Sequence, residues 1–77
     1  MRREKKNYVV ITFHTTEEAM AMETYCMEHA IRGRLIPVPG EVSAGCGICF
    51  RMTEEDFLSQ QKKIPEAGHD RIVKIRM

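Results

Sequence analysis

Apolar and polar positions alternate at both ends of the chain and in its middle. Between them, two stretches switch to a helical period. Residues 8–13, YVVITF, are rich in β-branched and aromatic side chains and predict a first strand, with Val9, Ile11 and Phe13 on one face. Thr15 and Glu18 then match the spacing of a helix capping box, and Glu17 and Glu18 place acid in the first turn, where the helix dipole favours it. Ala19, Met22, Cys26 and Ala30 follow at helical spacing. Met20, Met27 and Ile31 widen that stripe, and Gly33 is expected to close the helix as a C-cap. Residues 35–38 predict a short strand that Pro37 drives to a sheet edge. Ile48, Phe50 and Met52 alternate with Cys49 and Arg51 as a third strand. Thr53 to Asp56 opens a second helix carrying Phe57, Leu58 and Ile64, which Pro65 and Gly68 end. Residues 71–77 form the last strand, with Val73, Ile75 and Met77 expected inward.

The order β-α-β-β-α-β at this length predicts an α+β, ferredoxin-like sandwich: one four-stranded antiparallel sheet with both helices on one face. Residues 1–7 read as a flexible basic leader and 8–77 as a single domain. Seventy-seven residues make a modest core, so a partner or a second copy of the chain is a candidate source of further stability. The net charge of +1 argues against a nucleic-acid binder. No apolar run approaches the ~20 residues needed to cross a bilayer, and none has secretory character, so no membrane partner and a cytoplasmic location are expected. In that compartment the three cysteines are expected as free thiols. No phosphate loop, carboxylate dyad or serine triad points to an enzyme or to a bound cofactor.

One segment departs from this plain pattern. PVPGEVSAGCGICF, residues 37–50, holds two prolines, three glycines and two cysteines. The fold guess brings this loop to the sheet edge where the first helix begins. His14 ends strand one at that edge, and His69 in the last connection reaches it. A thiol at a helix N-terminus near an imidazole tends toward a larger thiolate fraction, while Glu17 and Glu18 push the other way. Gly45 and Gly47 leave Cys46 uncrowded, and Pro37 and Pro39 stiffen its loop. Cys46 is therefore the candidate nucleophilic thiol and His14 its candidate stabiliser. Cys49 completes C-G-I-C and is a candidate resolving thiol, although residues i and i+3 of a strand face opposite ways. Cys26 falls on the apolar helix stripe and is expected in the core. His29, late in the first helix, reads as a surface cap. An alternative reading makes Cys46, Cys49, His14 and His69 a zinc or copper set. A third reading is a non-catalytic interaction domain using the open sheet face.

Gly33, Leu35, Ile36, Pro37, Pro39, Ser43, Cys46 and Gly47 form the pattern G-x-L-I-P-x-P followed by small residues and C-G. This pattern, with the preceding segment YVVITFHTTEEAMAME, resembles a family of short bacterial domains described as selenium/sulfur carrier-like proteins. The resemblance spans about residues 7 to 77. It implies that Cys46 corresponds to the candidate carrier cysteine, holding a persulfide or selenopersulfide between sulfur or selenium donor and acceptor proteins. Cys49 and the basic leader lie outside that pattern.

Overall fold

The computed structural model describes residues 6–40, 42 and 46–76. The leader 1–5, the loop positions Glu41, Ser43, Ala44 and Gly45, and the terminal Met77 lie outside the described residues. The elements run β1 (Asn7–Thr12), α1 (Thr16–Glu28), β2 (Arg34–Pro37), β3 (Ile48–Thr53), α2 (Glu54–Gln60), a 3-10 turn (Gln61–Lys63) and β4 (Ile72–Arg76). The strands form one antiparallel sheet in the order β2-β3-β1-β4. This is the expected α+β sandwich, with Pro37 on an edge strand, where its missing N–H costs least. None of the described helices is long and apolar enough to cross a membrane.

Strand alternation divides the sheet into two faces. Val9, Ile11, Phe13, Phe50 and Met52 pack against Ala19, Met22 and Cys26 of α1, with Ile31 and Ile64 closing the main core. The opposite face gathers Val10, Cys49 and the loop residue Val42, flanked by Ile36, Val38, Val73 and Ile75. The last strand thus turns Val73 and Ile75 to the face away from the helices. Lys74 points to the helix side instead, where it pairs with Glu54 of α2 at 3.7 Å. Of the wider helix stripe, Met20 and Met27 are solvent-facing, because each sits one residue, or ~100°, past a buried position. Leu58 of α2 is exposed as well, and Ile64 is buried only after the helix has ended.

Both N-caps form as the spacing predicts. Thr15 Oγ1 accepts from the Glu18 N–H at 3.1 Å, and Thr53 Oγ1 from the Asp56 N–H at 3.1 Å. The Glu18 carboxylate reaches back one residue further than a capping box requires, to the N–H of His14 at 2.7 Å. The C-terminus of α1 departs from expectation. The helix stops at Glu28 with His29 as cap, Ala30 takes the left-handed conformation (φ 55°), and the Ile31 N–H bonds the Cys26 carbonyl at 2.8 Å. Gly33 has a different task. At φ 154° it lies so close to the Phe50 ring that an added Cβ would overlap it, and would stand 2.7 Å from the Arg51 carbonyl oxygen. It lets the start of β2 close onto β3.

Candidate functional site

The register aligns one sheet edge. Thr12 pairs with Cys49, Pro37 with Ile48, and Ile11 with Ile72, so the end of β1, the β2–β3 loop and the start of β4 meet there. The N-cap of α1, Thr15, follows three residues after Thr12. Cys46, His14 and the 69–71 connection therefore share this edge, as the topology requires.

Within it, the three thiols differ sharply. Cys26 is 2% exposed inside the main core, and burial pushes its pKa up to about 11. Cys49 is fully buried under Val42. Its pKa is raised first by that burial, then by the charge of Cys46, with Arg51 opposing. Cys46 is only partly buried. Its side chain leans on the main core, on the helix side of the sheet, and its S–H donates to the Ile48 carbonyl at 3.3 Å. Gly47 follows at φ 79° with open space where a side chain would stand, and its carbonyl accepts from the Val38 N–H at 3.0 Å to close the loop. All three thiols are free. Cys46 and Cys49 pack against clusters on opposite faces of the sheet, as their spacing on a strand dictates.

The histidines are engaged elsewhere. His14 spans two carboxylates, with Nδ1 3.2 Å from Glu18 Oε1 and Nε2 3.3 Å from Asp70 Oδ1. Asp70 is held in turn by its N–H donating to the Thr12 carbonyl at 2.7 Å, while the Arg71 N–H donates to Thr12 Oγ1 at 3.1 Å. His14 thus joins the start of α1 to the start of β4, and no hydrogen bond joins it to Cys46. His69 packs beside Phe57, Ile64, Pro65 and Ile72, with a buried Nδ1 that lacks a hydrogen-bond partner among the described residues. His29 caps α1 as expected. Its ring stacks on Tyr25 at a centroid distance of 3.9 Å, and its Nδ1 lies 2.9 Å from the Tyr25 carbonyl. Among the described residues, no three His, Cys, Asp or Glu side chains gather closely enough to hold a metal ion, so the sharing of an edge by Cys46, Cys49, His14 and His69 does not amount to a ligand set.

Two features of the edge escaped the sequence reading. One is the Glu18–His14–Asp70 bridge, whose Asp70 arm lies 56 residues from His14 and left no local signal. The other is Val42, an isolated apolar residue with no periodic pattern, which is buried in one cluster with Val10 and Cys49.

The chain can therefore present one thiol, Cys46, on a closed loop at a sheet edge while withholding the other two. No curated protein and no solved structure matches the sequence. The pattern of one family does match, over residues 8–71, and the chain belongs to it: the family described as "Putative Se/S carrier protein-like".

Proposed function

We propose that the protein carries sulfur or selenium on Cys46. The observation that supports this most directly is the division of the three thiols: Cys46 is only partly buried and stands beside an open glycine, whereas Cys26 and Cys49 are sealed and held toward the protonated form. In the loading step the Cys46 thiolate attacks the outer sulfur of a donor persulfide. The donor S–S bond breaks, the donor leaves as a thiolate, and a Cys46 persulfide forms, with no net oxidation. Selenium would load in the same way from a donor selenopersulfide. An acceptor nucleophile then takes the terminal atom and returns Cys46 to the thiolate. No internal resolving thiol is needed, which fits the placement of Cys49 across the sheet. Family membership supports the carrier class and interaction with donor and acceptor proteins in general. A reducing, cytoplasmic setting suits the chemistry, since it keeps Cys46 free.

Intact-protein mass spectrometry after incubation with a persulfide donor tests the reading. The wild type and the Cys26→Ser and Cys49→Ser variants should each gain one sulfur, and Cys46→Ser should gain none. Loading that survives Cys46→Ser, or that is lost equally in all three variants, would overturn it.

A further inference from the structure

At the end of the sheet opposite Cys46, the face away from the helices carries an uncompensated pair of cations. Arg34 of β2 and Arg51 of β3 are direct cross-strand partners, so both side chains leave the same face. Like charges directly opposite each other in a sheet repel. Other cations of this protein have carboxylate partners: Arg32 has Asp56 at 3.0 Å and Lys74 has Glu54 at 3.7 Å. Arg34 and Arg51 have no carboxylate partner among the described residues. Nor do the strands supply one, since the other residues of this face are Tyr8, Val10, Thr12, Ile36, Cys49, Thr53, Val73 and Ile75. The Arg51 guanidinium is fixed instead over the Tyr8 ring, 4.7 Å from its centroid.

The surface here is concave. A depression of about 240 Å³ at this end of the sheet is lined by Tyr8, Gly33, Arg34, Arg51, Met52, Thr53 and Asp56. Asp56 is the one acid in the lining, and its carboxylate is occupied by Arg32.

We propose that Arg34 and Arg51 form a binding site for a dianionic phosphate group, supplied as inorganic phosphate or as a small phosphate monoester. Two guanidinium forks offer two positive charges and several parallel donors, which match the charge of about −2 and the three or four acceptor oxygens of a phosphate. A single carboxylate would leave one fork unused. The Tyr8 ring holds one fork in place beforehand, which lowers the ordering cost of binding. The site is separate from Cys46 and does not depend on the carrier reading.

Phosphate titration followed by NMR tests this. Sodium phosphate should shift the Arg34 and Arg51 side-chain Nε–H signals saturably, and sodium chloride of equal ionic strength should not. Arg34→Gln and Arg51→Gln should each weaken phosphate binding about tenfold, the effect of losing one charge-assisted contact. Lys62→Gln, remote from the site, should leave it unchanged. Glycerol phosphate binding more tightly than inorganic phosphate would make a monoester the source, and equal or weaker binding would make free phosphate the source. Three results would overturn the proposal: shifts equal in chloride, binding kept in both Gln variants, or binding of the monoanion dimethyl phosphate as tight as that of phosphate. Much tighter binding per phosphate by a single-stranded oligonucleotide would also overturn it, in favour of a polyanion surface.

Discussion

Cys26 illustrates how a single buried thiol ties stability to pH. It is the third member of the Ala19–Met22–Cys26 stripe and is in effect a small apolar side chain. Ionising it inside the core means placing a charge among apolar neighbours, so the folded state holds the proton up to about pH 11. The unfolded chain, with an ordinary value of 9.0, releases it earlier. Between these values the folded form binds more protons, so stability is fully present below pH 9 and declines as pH rises toward 11. Two pH units correspond to on the order of 3 kcal/mol at most. Urea unfolding of the wild type should show this decline above pH 9. Cys26→Ala should be less stable at neutral pH through the lost packing, yet show a flatter alkaline limb. An equally steep limb in the variant would place the titration elsewhere. The core assignment of Cys26 was legible from spacing alone. Its neighbours Met20 and Met27 were not placed correctly, because a stripe drawn too wide counts residues ~100° away from the buried line.

At the scale of elements, the strands, helices and caps were legible because each has a local signature: alternation for β1 and β3, Thr-x-x-acid for both helix starts, and proline for the edge strand. What local signatures do not carry is how elements are tied together. Gln60, at the end of α2, is polar and sits in a Ser-Gln-Gln run that reads as solvent-facing, yet it is 5% exposed. Its amide clamps the backbone of Arg32, accepting from the Arg32 N–H at 3.1 Å and donating to the Arg32 carbonyl at 2.9 Å. This holds the α1–β2 turn, and with it the close approach of Gly33, against α2. Arg32 is itself exposed, so water can replace part of what these bonds supply, and each is worth about 0.5–1.5 kcal/mol. Gln60→Leu keeps the volume and removes both bonds, so it should lower unfolding stability by about 1–3 kcal/mol. Gln60→Glu keeps the acceptor but loses the donor, and should fall between. Thermal or urea denaturation of the two variants checks the order. Gly33 follows the same rule: a glycine after a helix resembles a C-cap in sequence, and only the approach of β2 to β3 puts the Phe50 ring in its side-chain space.

At the scale of the whole molecule, the two sheet faces are closed by different means. Helices cover one face. On the other, the β2–β3 loop folds back so that Val42, 8% exposed, covers Val10 and Cys49, and its N–H donates to the Pro39 carbonyl at 3.0 Å. The topology was legible because few arrangements of this element order satisfy right-handed crossovers. The second cluster was not, because one apolar residue among glycines and small polar residues has no period to reveal it. Its consequence is chemical. Val42 packs in the cluster that holds Cys49, while Cys46 packs against the core on the other face, so access to Cys49 should depend on this valine. Val42→Asp would place a carboxylate where only apolar contacts await it, and the cost of burying it favours a lifted loop. Timed alkylation with iodoacetamide, read by peptide mass spectrometry, should then label Cys49 at least about ten times faster than in the wild type, the factor that ~1.4 kcal/mol of lost closure gives. Cys46 labelling should change less, since its exposure does not depend on Val42. Cys26 should stay protected, because the helix-side core is unaffected, and that protection separates loop opening from general unfolding. If Cys49 stays as slow as before, Val42 is not its cover. If all three thiols accelerate together, the loop supports the whole fold and not the choice of thiol.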